Sequence, residues 1–561
     1  MVEGVFKIVY KEVRGLHQAA YLLAIFTLGS QILALIRDRL LAHQFGASAE
    51  LDLYYAAFRI PDVLYVIFAS TLSVYVLIPF LAKKQETGGI KAAQNLLSQF
   101  LSLFVLLYGV IALVAMVCAP SIVSHFFPGF VESKDMLVAL IRILLVQPLL
   151  LGISSLFGIV TQMERRFMLY AVSPLLYNLG IIFGLVCLYP YFGMYGLVLG
   201  VLLGALLHVC IQIPSVLKSP LVPHFTLSFV RDDIFSVART SLTRALTLSL
   251  HQLVLLRFVS VASVMTVGSV SVFQFGYNLQ SVPLAIIGVS YSVAAFPLLA
   301  QLFTERKYTE FANNITATLR HIFFWSLPVI ALFVVIRAQF VRVVLGSGAF
   351  DWSDTRLTAA VLALFILSLT AQSTHLLIVR AFYAIGNTRI PFFVTLGSSI
   401  GAFVLSHYFS ILLSREGTFY FFIERMMRLP DVQGIEVLAL PLGYSCALIV
   451  HSIVLIVLSR KRLFISVRSL FVPFFESFGS SCVAGYIAYL LLNYFVAFFT
   501  VDSLVTVFAQ GFLACSGGII TYTALQYLMK SAELHEIYRA LHKRFSKKGI
   551  VVPQDEDTLA V

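Results

Sequence analysis

Apolar runs of eighteen or more residues recur along this chain from residue 17 to residue 529, separated by short polar breaks. Each run is long enough to cross the hydrocarbon core of a bilayer as a helix. In lipid every backbone N–H and C=O needs an internal partner, so a chain made of such runs folds as a helix bundle. Hydrophobic residues make up 60% of the 561 and charged residues 12%, against about 25% charged in an ordinary soluble domain. A soluble enzyme is excluded. The expected fold class is an all-α polytopic membrane protein.

Fourteen spans are predicted, at 17–43, 52–82, 93–119, 136–160, 169–190, 194–217, 234–262, 268–302, 312–344, 356–384, 390–413, 436–459, 470–498 and 502–529. Basic residues gather in alternate loops: Lys83-Lys84, Arg165-Arg166, Lys218 with Arg231, Arg306-Lys307, Arg389 and Arg460-Lys461-Arg462. The intervening loops are poorer in charge, and in 414–435 Arg415, Arg425 and Arg428 are offset by Glu416, Glu424 and Asp431. The positive-inside rule then places both termini and the even-numbered loops in the cytoplasm. The first fifteen residues carry Lys7, Lys11 and Arg14 with no cleavage pattern, so the first span is expected to remain as an anchor.

The net charge of +12 is accounted for by these loops and offers no basic face for nucleic acid. Cys118, Cys187, Cys210, Cys446, Cys482 and Cys515 lie in or beside apolar segments without a CxxC pair, and the histidines show no ligand spacing. No disulfide, metal or other cofactor is expected. With no Walker A sequence either, the chain reads as a transporter and not an enzyme.

Two stretches about 216 residues apart resemble each other. Ile78-Pro79-Phe80-Leu81-Ala82 ends the second span and Phe296-Pro297-Leu298-Leu299-Ala300 the eighth; Arg166-Phe167 with Pro174 is matched by Arg380-Ala381-Phe382 with Pro391. Such offsets point to two similarly oriented six-span lobes. The expected divisions are a cytoplasmic segment 1–16, an N-lobe 17–218, a C-lobe 233–460, two appended spans 470–529, and a basic helix and tail 531–561. Leu534, Ile537, Tyr538 and Leu541 give that helix an apolar side suited to the cytoplasmic leaflet.

Charge inside the first hairpin marks the functional region. Arg37 and Asp38 lie deep in the first span; Asp52, Arg59 and Asp62 punctuate the second. Ionisable groups within spans are costly and face cavities or partners. Adjacent helical residues diverge by about 100°, so Arg37 and Asp38 are each expected to find a separate partner. Asp52 is a candidate N-cap or a gate between lobes, and Asp62, after Pro61, a hinge or gate.

Several segments resemble the MurJ (MviN) lipid II flippases of the multidrug/oligosaccharidyl-lipid/polysaccharide exporter superfamily. They are Arg37-Asp38, Phe45-Gly46-Ala47 with Asp52, Phe58-Arg59-Ile60-Pro61, Pro128-Gly129-Phe130, Arg166-Phe167 with Pro174 and Tyr177-Asn178, Gly346 to Asp351, and Arg380 to Ala384 with Asn387-Thr388-Arg389 and Pro391. The resemblance implies two six-helix lobes about a cavity, a lipid-tail groove made by the last two helices, and transport of a pyrophosphate-linked peptidoglycan precursor by alternating access. Wall-synthesis proteins are possible partners.

The resemblance also implies cavity arginines that this chain lacks. Gln31, Tyr65 and Asn278 stand where the family has basic residues, and Ser70-Thr71 where it has an acidic-glycine pair. Arg244 and Arg257, flanking His251 in the seventh span, are expected to compensate. The candidate substrate-binding set is therefore Arg37, Asp38, Arg244, Arg257, Asn278 and Gln31. The candidate gate and hinge set is Ser30, Asp52, Pro61 and Asp62. Two other readings stay open: a flippase for another polyprenyl-pyrophosphate-linked glycan, and a transport-inactive scaffold of wall synthesis.

Overall fold

The computed structural model describes residues 16–69, 74–466, 468–498 and 503–546. Among these every regular element is a helix. The segment 1–15, the pair Ser70-Thr71 and the tail after 546 lie outside the described residues.

The first hairpin is α1 (Leu16–Phe45), then α2 (Ala49–Ala57) and α3 (Arg59–Ala69). The next element, α4 (Val74–Phe126), comprises two helices meeting at Gly89, whose φ of 73° breaks the helical path. Then come α5 (Lys134–Leu144), α6 (Gln147–Met163), α7 (Phe167–Phe183) and α8 (Met194–Cys210). The second half runs α9 (Arg231–Ala262), α10 (Ser269–Leu284), α11 (Ser290–Thr304), α12 (Tyr308–Leu345), α13 (Trp352–Ile366), α14 (Leu369–Ala384), α15 (Arg389–Leu413), α16 (Thr418–Met427) and α17 (Ala439–Arg462). The chain ends with α18 (Arg468–Phe498), α19 (Leu504–Leu528) and α20 (Ala532–Ser546). Among the described residues eleven helical stretches are long and apolar enough to span a membrane, or twelve with the bent α13–α14 pair. The charged opening hairpin falls outside that test, so the count is consistent with fourteen spans.

Three features depart from the sequence expectation. The tenth span is bent by 42° between Ile366 and Leu369. The loop 414–435 contains the helix α16. Part of the apolar side of α20 is covered by protein: Leu534 and Ile537 pack on Phe324, Ala484 and Tyr522, while Tyr538 stays exposed. Arg320 donates to Glu533 at 2.6 Å and His321 meets Glu536 at 3.0 Å, which fixes that face to α12. Covering Leu534 and Ile537 with protein satisfies the same apolar demand that a leaflet would.

Small residues set the closest approach in the first half. A Cβ on Gly180 would stand 2.2 Å from the Cα of Gly204, and one on Gly184 2.4 Å from the Cα of Gly200. α7 and α8 therefore pack backbone to backbone, the usual role of glycines four apart in membrane helices. Gly46 (φ 60°) and Gly268 (φ 89°) close the first hairpin of each half, 222 positions apart, in a conformation that suits glycine.

The core is distributed unevenly along the bundle. At the end carrying the turns at 46–48, 127–132, 263–268 and 346–351, one apolar cluster joins both halves, from Leu41 and Leu51 through Phe258 and Phe275 to Tyr444. At the opposite end there are two clusters. Leu77, Phe100, Leu156 and Val216 belong to the first half, and Leu299, Ile315, Phe382 and Leu455 to the second. The halves share one core at one end and have mostly their own cores at the other, where Val237 of α9 packs into the first-half cluster and Lys84 pairs with Asp233 at 2.8 Å. α18 and α19 pack along α12, outside this arrangement.

Candidate functional site

At the fused end two carboxylates reach across the halves. Asp52 accepts the backbone N–H of Gly268 at 2.8 Å, that of Ser271 at 2.7 Å and the Ser271 hydroxyl at 2.6 Å. It thus caps the N-terminus of α10, where unsatisfied N–H groups and the helix dipole favour an anion. Its own helix α2 is capped by Ser48. Asp354, in the first turn of α13, accepts the backbone N–H of Ala47 at 3.1 Å. Ala349 N–H donates to the carbonyl of His43 at 2.9 Å. These turns interlock because Gly348 sits against His43, and Gly268 against Ala47, without room for a side chain.

Below this seal a polar chain crosses between the halves. Arg37 donates through Nε and one terminal nitrogen to Asp38, at 3.0 and 2.8 Å, and through the other to Asn178 at 3.0 Å. The expectation of separate partners is therefore corrected. The long guanidinium stem bends back over the 100° offset, and both groups also gain a further contact. Asn278 donates to the second Asp38 oxygen at 2.9 Å, Gln274 donates to Asn278 at 2.6 Å, and Arg59 donates to Gln274. Asn178 also reaches Ser30 at 3.4 Å. Pro61 is buried, Gln31 is half-buried, and Tyr65 meets Ser155 at 3.4 Å.

A separate cavity of about 440 Å³ opens within the second half, with Val66 of α3 on its wall. It is lined by Arg244, His251, His375, Arg380, His451 and Tyr383, among others, and no Asp or Glu lines it among the described residues. Arg244 lies over the ring of Tyr383, 5.9 Å from its centroid. His375 and His451 are hydrogen-bonded ring to ring at 2.6 Å, and His451 continues to Ser398 at 2.8 Å. His251 pairs with Tyr277 at 2.9 Å. Two permanent cations, three imidazoles and no carboxylate make this an anion-accepting space.

The residues singled out from sequence are thus divided. Arg244 lines the cavity. Arg37, Asp38, Asn278 and Ser30 belong to the crossing chain. Arg257 is exposed, with its guanidinium 3.4 Å from Ser260, and does not line the cavity. Sequence reading missed Arg380, His375 and His451 as cavity residues, and Asp354 as the counterpart of Asp52. His375 and His451 are 76 positions apart and share no local motif; only their place within apolar spans singles them out. No group of three or more His, Cys, Asp or Glu suited to a metal occurs among the described residues.

The profile of the family described as Lipid II flippase MurJ matches residues 41–509. A probable lipid II flippase MurJ of Buchnera aphidicola subsp. Baizongia pistaciae is 24% identical over 66% of this chain and 73% of its own. The lipid II flippase MurJ of Burkholderia cenocepacia is 24% identical over 70% of this chain and 78% of its own. Among solved structures, a lipid II flippase MurJ in an inward closed conformation superimposes with a TM-score of 0.72 at 21% identity, over 91% of this chain and 99% of that one. An inward-facing multidrug resistance MATE transporter of the MOP superfamily gives 0.64 at 16% identity, over 77% and 94%. The fold is that of these transporters, and the chain belongs to the MurJ lipid II flippase family, multi-pass inner-membrane transporters and not enzymes.

Proposed function

We propose that this protein moves lipid II, the lipid-linked peptidoglycan precursor, across the cytoplasmic membrane by alternating access between its two halves. The observation that carries this reading is the cavity whose described lining holds Arg244 and Arg380 and no carboxylate, in a bundle whose shared core lies at one end. A pyrophosphate diester is a compact anion, and guanidinium groups bind such oxygens through charge-assisted hydrogen bonds. The fused end faces outward in this reading, since the loops at the other end hold the basic residues. Both termini are then cytoplasmic, and the headgroup is admitted from that side. The lipid tail stays in the bilayer beside α18 and α19, while Asp52 and Asp354 hold the outer gate. Asp62 and Pro61 form a bend where α3 moves against α9.

The crossing chain from Arg37 to Arg59 favours a second reading. It consumes the very groups that the family resemblance assigns to substrate, which suits a transport-inactive scaffold. Complementation of a bacterium depleted of its own lipid II flippase separates the two. Growth is expected with the wild-type chain and not with Arg244→Gln/Arg380→Gln. Loss of two charge-assisted contacts, each about 1.5–3 kcal/mol, lowers headgroup affinity at least tenfold. Failure of the wild type to complement, with normal membrane insertion, rejects transport of lipid II. Retained binding of a different polyprenyl-pyrophosphate glycan then reassigns the cargo.

A further inference from the structure

The His375–His451 pair, hydrogen-bonded ring to ring at 2.6 Å, lies on the wall of the basic cavity. The two rings belong to α14 and α17, and the chain continues to Ser398 on α15. Three helices that form much of the cavity wall thus meet through one hydrogen-bonded line. His451 is only 2% exposed. The ring centroids are 4.6 Å apart at an interplanar angle of 65°, so the contact is a hydrogen bond between nitrogens and not a stack.

The proton count of such a pair is fixed by chemistry. Two neutral imidazoles hold two ring protons on four nitrogens. One proton lies in the shared N–H···N bond. Of the two remaining nitrogens, one carries a proton and one is basic. Uptake of one proton from solvent gives an imidazolium hydrogen-bonded to an imidazole, with no other bond made or broken. A charged donor strengthens that bond.

The surroundings decide when this happens. On α9 the cavity wall presents Arg244 and His251; on α14, Arg380 and Tyr383 beside His375; on α17, Tyr444 beside His451; on α10, Tyr277. α11, α12 and α13 contribute no charged side chain to the cavity wall. Among the described residues every permanent charge on the cavity wall is positive, so an empty cavity opposes a further cation. A pyrophosphate diester carries two negative charges, so bound between Arg244 and Arg380 it cancels the two guanidinium charges and lifts that opposition.

We propose that the His375–His451 pair takes up one proton when a pyrophosphate diester occupies the cavity, so that anion binding and protonation are thermodynamically linked. This rests on the anion-binding reading of the cavity. By reciprocity, whatever favours protonation favours binding to the same extent. With one proton taken up per anion, affinity rises by up to about tenfold for each unit fall in pH within the ordinary imidazole range of about pH 5 to 8.

The test is calorimetric titration of the full chain in detergent with prenyl-pyrophosphoryl-N-acetylglucosamine, a diester with no group of its own titrating in that range. Repeating the titration in buffers of different ionisation enthalpy gives the number of protons taken up per molecule bound. The expected value for the wild type is close to one at a pH below the bound pair's titration point and above the empty pair's. His375→Gln and His451→Gln should each lower it substantially while binding persists. Binding by the wild type with no proton uptake anywhere between pH 5 and 8 overturns the proposal, as does undiminished uptake in both variants. Absence of binding at every pH overturns it together with the anion-binding reading. The wild-type proton number needs no variant, so misfolding of either substitution leaves the test intact.

Discussion

Arg37 and Asp38 are neighbours in sequence and partners in space, with Asp38 almost fully buried. Their bond is one link in a line through Asn178, Asn278, Gln274 and Arg59. Removing one member of a buried pair strands the other, at a cost of about 3–5 kcal/mol, whereas removing both costs much less. Arg37→Gln or Asp38→Asn alone should therefore lower the melting temperature in detergent more than the double substitution does. Additive losses would show that the two do not act as a pair. Asp52 offers a second residue-scale prediction. Asp52→Ala removes the cap of α10, worth about 1–2 kcal/mol, and removes it across the seam between the halves. Spin labels at the exposed positions Val131 and Val264 should report a broader and longer distance distribution in that variant. An unchanged distribution would assign Asp52 to local capping alone.

At the scale of elements, the helices that carry the site are shaped by breaks more than by continuity. The 42° bend between Ile366 and Leu369 splits the tenth span, and His375 and Arg380 lie on its second segment. Gly180, Gly184, Gly200 and Gly204 let α7 and α8 touch along their length, and Asn178 on α7 then reaches Arg37. The terminal helix α20 is bound by charge as well as by apolar contact. Burial raises the Glu533 carboxyl, but hydrogen bonds from Ser531 and the backbone and the guanidinium of Arg320 outweigh it, so its pKa lies below the usual carboxylate value. A depressed pKa contributes stability above the unfolded value of about 4.3, lost as pH falls through the folded value. Hydrogen exchange, corrected for intrinsic rate, should show residues 532–546 losing protection at low pH before α12 does. Arg320→Gln should move that loss to higher pH. If α20 stays protected together with α12, the Glu533–Arg320 contact is not what holds it.

For the whole molecule, the informative asymmetry is one shared core at the fused end and two separate cores at the other. Alternating access, as proposed, requires the shared core to part. Ala47 and Ala349 lie in turns that interlock there, Gly46 having no space for a Cβ against the Ala349 carbonyl. A disulfide between Ala47→Cys and Ala349→Cys should arrest transport, with recovery on reduction. The native cysteines are free and distributed elsewhere, so a background of them all replaced is the reference. Transport that continues with the disulfide formed would show that this end does not open.

Fold class was legible in the sequence because it follows from one local property. Apolar length forces helices, whatever their neighbours are. Arg37, Asp38 and Asp52 stood out because charge within a span is costly wherever it points. Their partners did not, since Gly268 lies 216 positions from Asp52 and Asn278 lies 240 from Asp38. The same limit separates Arg244 from Arg257. Both are basic residues of one helix, and only packing turns the first toward the cavity and the second away. His375 and His451 became a pair only when α14 and α17 were brought side by side. The sequence by itself determined that the chain spans the membrane as helices and which spans carry unaffordable charge. Tertiary structure alone decided which of those charges neutralise one another and which face open space, because a Coulomb interaction depends on distance in space and not on separation along the chain.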